Sequence, residues 1–84
     1  MRLDELRGPD IRAVREQAKL ARHELSAETG MTKTRIMQIE LERRRWQPEE
    51  MAILARGIHR LVTRRAGAVT AEIEIWLETY GAQV

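Results

Sequence analysis

Apolar residues recur at helical spacing along most of the chain, with charged positions between them. Ile11, Val14 and Ala18 fall three and four residues apart, the period of one helix face. The preceding "GPD" at 8–10 reads as a helix start, because a proline in the first turn gives up no hydrogen bond. A second short amphipathic helix, 22–29, is built on Leu25 and runs into Gly30, a residue that takes positive φ without penalty. Thr32 then suits the N-cap of a third helix, where its hydroxyl can accept an otherwise unpaired N–H. Ile36 and Ile39 give that helix its buried stripe. Pro48 suits the first turn of a fourth, with Glu49 and Glu50 near the positive end of its dipole. Met51, Leu54, Ile58, Leu61 and Val62 carry the stripe onward, interrupted by Gly57.

The tail carries two periods at once. Val69, Ile73, Trp76, Leu77 and Tyr80 lie at i, i+4, i+7, i+8 and i+11, one face of a helix. Val69, Ala71, Ile73 and Ile75 also alternate as a half-buried strand would. The Glu, Ala and Leu content favours helix. The expected fold is all-α: a compact bundle of about five short helices, 1–67, with a helical extension, 68–84. The loop 42–47 is long enough for the third helix to run a turn further.

Charge refines this picture. The net charge is +2, from 15 basic and 13 acidic residues, which by itself favours no partner. Between Lys33 and Arg65, however, nine basic residues face four acidic ones, and after Gly67 there is no Lys or Arg, only Glu72, Glu74 and Glu78. A basic middle and an acidic tail fit separate binding and assembly surfaces. With 84 residues and no cysteine, one small domain without disulfides or a cysteine-type zinc site is expected. No apolar run approaches the ~20 residues that span a bilayer, and "MRLDELRGPD" has no signal-peptide core. A cytoplasmic protein that makes no membrane contact is expected.

Candidate chemistry concentrates in "ETGMTKTRIMQIELERRRWQP", 28–48. Two short helices joined by a turn containing glycine form a helix-turn-helix pattern. On the third helix Thr34, Gln38 and Leu41 lie opposite the apolar stripe, Met37 flanks them, and Lys33 and Arg35 project from the first turn. A helix in the major groove of DNA reads bases from its N-terminal residues. Gln pairs bidentately with adenine, Lys with guanine, and Thr or Met meets a thymine methyl. The basic run "ERRRW", 42–46, would then clamp phosphates through Arg43, Arg44 and Arg45, with Trp46 plugging the base of the loop.

"IRAVREQAKLARHELSAETGMTKTRIMQIE" resembles the phage-repressor-like (Xre/Cro type) helix-turn-helix regulators, from about Ile11 to about Leu61. The resemblance rests on Leu25 followed by the small Ser26, on Gly30 in the turn, and on Ile36 and Ile39. It implies a lambda-repressor-like fold and double-stranded DNA as ligand. It also implies base reading by Lys33, Thr34 and Gln38 with help from Arg35, and a structural ion pair between Arg15 and Glu40. Thr32 and Arg22 would join the arginine run on the DNA backbone. The chain departs from the family pattern at Ala21-Arg22, where Ser-Gln is common. It departs again at Glu42, where the family tends to have glycine.

His23 and His59 have no companions at metal-ligand spacing, and Ser26 has no base beside it. No enzyme, metal site or cofactor is expected. The expected function is that of a sequence-specific transcriptional regulator, a repressor working as a homodimer through Val69, Ile73, Trp76, Leu77 and Tyr80. Two other readings share the fold: an antitoxin whose tail binds a toxin, and a protein-binding inhibitor that has lost DNA.

Overall fold

The computed structural model describes residues 5–80. It is all-helical, with four helices among the described residues: α1 (Gly8–Gln17), α2 (Arg22–Thr29), α3 (Lys33–Glu40) and α4 (Pro48–Tyr80). The expected five short helices become four, because α4 runs unbroken through both Gly57 and Gly67. The alternation at 69–75 is helical as well. With no strand among the described residues to pair its backbone groups, an α-helix satisfies them locally.

The start and stop signals act as local chemistry requires. Asp10 Oδ2 accepts from the Arg7 N–H at 2.9 Å, and Glu24 Oε1 accepts from the Ala21 N–H at 3.1 Å. The second bond satisfies the Ala21 N–H from N3, the reciprocal half of a capping box, although Ala21 has no side-chain oxygen to accept from the first turn. Gly30 ends α2 at φ +78°. The Thr32 hydroxyl accepts from the Arg35 N–H at 3.0 Å. Ser26 Oγ donates to the Met31 carbonyl at 2.6 Å, closing the α2–α3 turn. Glu50 Oε1 accepts from the Gln47 N–H at 2.9 Å at the head of α4. The third helix does not extend: Glu42, at φ +53°, turns the chain out immediately after it.

Ile11, Leu20, Leu25, Ile36, Ile39, Met51, Leu54 and Ile58 form one core, with Leu6, Ala18, Met31, Trp46, Ala55 and Leu61 packed around it. Each fully buried side chain of this size contributes about 1.5–3 kcal/mol. Val14, on the expected α1 stripe, is exposed, and the buried α1 positions are Gly8, Ile11 and Arg15. Helices α1 and α2 each pack against both α3 and α4. Gly57 lets α2 come close to α4, since a Cβ there would lie 2.5 Å from Thr29 Cγ2.

Only the first half of α4 belongs to this core. Every described residue from Val62 to Thr79 is exposed. A 33-residue helix is about 50 Å long, which accounts for most of the 58 Å long axis of the molecule. No helix among the described residues is long and apolar enough to cross a membrane.

Candidate nucleic-acid interface

Helix α3 is held from behind by a buried charge cluster. Glu40, whose side chain is wholly buried, accepts from Arg15 Nε at 2.7 Å on Oε2. Its Oε1 accepts from Arg15 Nη2 at 3.0 Å and from Arg22 Nε at 2.9 Å. Arg15 Nη1 donates to the Leu20 carbonyl at 2.8 Å. Hydrogen bonding to Glu40 raises the Arg15 pKa although burial opposes it. No buried side-chain nitrogen or oxygen among the described residues is left without a partner. Three segments, α1, the 18–21 connection and α2, are thereby tied to the last residue of α3.

A second tie fixes the other side. Arg35 Nε and Nη2 each lie 2.7 Å from a Glu50 oxygen, and Nη2 also donates to the Arg45 carbonyl at 2.8 Å. Its guanidinium is therefore committed to the head of α4 and to the 41–47 loop. Glu50 links these parts: it caps α4 and holds Arg35, and the Arg35 hydrogen bond keeps its carboxyl below the ordinary value of 4.5. Neither partner of Arg22 or of Arg35 was legible from spacing, since Glu40 and Glu50 lie 18 and 15 residues away.

What α3 turns outward is Lys33 and Thr34, exposed, with Met37 and Gln38 partly so. A concavity of about 470 Å³ opens beside them, lined by Arg15, Ala21, Arg22, His23, Lys33, Thr34 and Met37. Arg22 sits at its wall while bonded to Glu40, and is about one-third exposed. His23 was not among the expected site residues; its place beside Lys33 follows from the α2–α3 turn. A further concavity, lined by Arg7, Glu42, Arg43, Arg44, Arg45 and Trp46, opens at the loop after α3. There Arg7 Nε meets Glu42 Oε1 at 3.0 Å. Trp46 packs against the core from the loop.

The charges sort in an informative way. Arg7, Arg12, Arg15, Arg22, Arg35, Arg60, Arg64 and Arg65 all pair with carboxylates. Among the described residues, the cationic side chains with no carboxylate partner are Lys19, Lys33, Arg43, Arg44, Arg45 and Arg56. Lys33 begins α3, and the three consecutive arginines follow it. The Thr32 oxygen accepts in the α3 cap, which leaves its O–H as a donor. No group of three or more metal-ligating side chains occurs among the described residues.

The expected assembly residues lie apart from this region. Val69, Ile73, Trp76 and Leu77 are on the projecting half of α4, with Val69 56% and Trp76 53% exposed. Tyr80 is the last residue of α4, and its side chain lies outside the described residues. Comparison with family models, with curated proteins and with solved structures finds no match.

Proposed function

We propose that this chain is a sequence-specific DNA-binding regulator of the helix-turn-helix type, a repressor that binds a pseudo-palindromic operator as a homodimer. The observation that carries the reading is the sorting of charges. Most arginines are neutralised by carboxylates of the fold itself, and of the six unpaired cations among the described residues four, Lys33, Arg43, Arg44 and Arg45, stand at the two ends of α3, with Lys19 and Arg56 elsewhere. Unpaired cations bracketing an exposed polar helix are what a phosphate backbone requires, because each contact releases a condensed counterion. Lys33, Thr34 and Gln38 then read base edges. Arg43, Arg44 and Arg45 hold phosphates, as does Arg22 at the edge of its concavity, with Thr32 beside them. Arg35 serves by positioning the loop that carries the three arginines.

The test is binding of duplex DNA followed by fluorescence anisotropy across a salt series. Generic duplex should bind at low salt, and DNA from upstream of the chain's own gene should bind more tightly. Arg44→Ala should weaken both and reduce the slope of log K against log salt by about one. Absence of binding to either DNA at low salt would overturn the reading.

A further inference from the structure

The projecting half of α4 carries a sharper pattern than an apolar face. Val62, Ala66, Val69, Ile73 and Trp76 follow one another at intervals of four, three, four and three, the seam spacing of two helices packed along each other. A concavity of about 410 Å³ opens on this seam, lined by Ala18, Val62, Arg65, Ala66, Val69 and Thr70. Charge is segregated along the same helix. Residues 56–65 contain four arginines and no acid, whereas 68–80 contain three glutamates and no base. Two of the arginines share Glu28, and Arg65 meets Glu24, which leaves Arg56 unpaired and this part of the surface positive.

We infer that the occupant of this seam is the α4 helix of a second copy, running antiparallel. A parallel pair would set Glu72, Glu74 and Glu78 beside the same three glutamates. An antiparallel pair sets them beside Arg56 to Arg65. With the twofold axis near Gly67 and Ala68, Val62 meets Ile73 of the second copy and Ala66 meets its Val69. Arg65, which also holds Glu24 of its own copy, then lies beside the second copy's Glu72 and bridges the two carboxylates, twice by symmetry. The concavity beside Val62 and Ala66 receives Ile73 of the second copy. Leu54 in each core lies roughly 20 Å from that axis at ~1.5 Å rise per residue, so the two cores are on the order of 40 Å apart. That is comparable with the ~34 Å between successive turns of the major groove. The inference rests on the homodimer proposed above but not on DNA.

The chain has no cysteine, so Glu78→Cys gives one attachment point for a spin label on the outer side of the helix pair. Pulsed electron resonance on the full chain without DNA should give a label separation of roughly 40 Å, from ~31 Å along the helices at ~1.5 Å rise per residue and the lateral offset of two outward labels. A parallel pair would hold the labels at roughly 25 Å, the 8–10 Å interaxial distance plus two helix radii and two label arms pointing apart. Sedimentation should show a dimer weakened roughly tenfold by Glu72→Arg and restored when Arg65→Glu is added. Circular dichroism shows whether each variant keeps its helix content. A short separation, a chain that stays monomeric across the concentration series, or a folded Glu72→Arg that dimerises as the wild type does would each overturn the arrangement. Because DNA is absent, none of these outcomes depends on the operator reading, which the anisotropy experiment decides separately.

Discussion

Gly8 rests directly on the backbone of Ile39: a Cβ at position 8 would lie 1.8 Å from the Ile39 carbonyl oxygen. The start of α1 is thereby keyed to the end of α3 with no side chain between them. The obstacle is backbone, so it cannot swing aside as a side-chain tip would. Gly8→Ala should cost about 2–3 kcal/mol through forced separation of the two helices. Urea denaturation of the variant and the wild type would measure this, and an unchanged midpoint would mean that α1 is free to shift.

The pair formed by Arg15 and Glu40 closes the same corner. Burial of the pair gives orientation more than stability, but removal of one member leaves a buried charge unpaired. Glu40→Ala should therefore cost about 3–5 kcal/mol, enough to unfold much of a domain this small. Arg15→Met combined with Glu40→Leu should recover part of the loss, since the groups then left without a partner are the partly exposed Arg22 guanidinium and the Leu20 carbonyl. Thermal melts of the single and double variants distinguish the two: a double variant as unstable as Glu40→Ala would assign the cluster a role in stability itself.

The fold was legible where local chemistry decides it. Gly30, Thr32 and Pro48 announce the ends of α2, α3 and α4, and Leu25, Ile36, Ile39, Met51, Leu54 and Ile58 are buried as their spacing requires. Val14 misled because Arg15, one position on, takes the buried place through its bond to Glu40. Gly57 looked like a break and is a close crossing. Side-chain partners were the least legible part. Arg35 and Arg22 looked free because Glu50 and Glu40 reach them only after the chain has folded, and Arg7 reaches Glu42 across 35 positions.

Gln38 is the residue on which the base-reading proposal turns. It is partly exposed on α3 and makes no side-chain bond that holds it in the fold. Gln38→Ala should leave the melting temperature almost unchanged and cost about 1–3 kcal/mol in binding its operator. Binding to generic duplex should be unaffected. Competition between operator and generic DNA measures the ratio, and an unchanged ratio would remove Gln38 from the reading surface.

Acid should loosen the fold from the α4 end. Arg35 hydrogen bonding lowers the Glu50 carboxyl below 4.5, and Glu16, Glu24 and Glu28 are lowered by their arginines and, for Glu24, chiefly by the Ala21 N–H. A carboxyl depressed in the folded state contributes stability above its unfolded value, and that contribution is lost as pH falls through the folded one. Stability should accordingly be level near neutrality and decline below about pH 4.5. Glu50→Gln should be less stable at pH 7, with a shallower decline in acid. Urea midpoints at pH 7, 4.5 and 3 would show this, and parallel curves for the two proteins would rule Glu50 out as a contributor.

Glu42 is where folding and binding make opposite demands on one side chain. Its φ of +53° is a left-handed conformation that costs a residue with a Cβ roughly 1 kcal/mol relative to glycine. Its carboxylate accepts from Arg7, but Arg7 is largely exposed, so water screens that pair and it adds little stability. Glu42→Gly should therefore be neutral to slightly stabilising. The same change removes a negative charge beside Arg43, Arg44 and Arg45 and releases Arg7, so generic DNA should bind more tightly and with a steeper salt dependence. A variant that gains stability without gaining DNA affinity would place the arginine loop away from the phosphates, whatever α3 does.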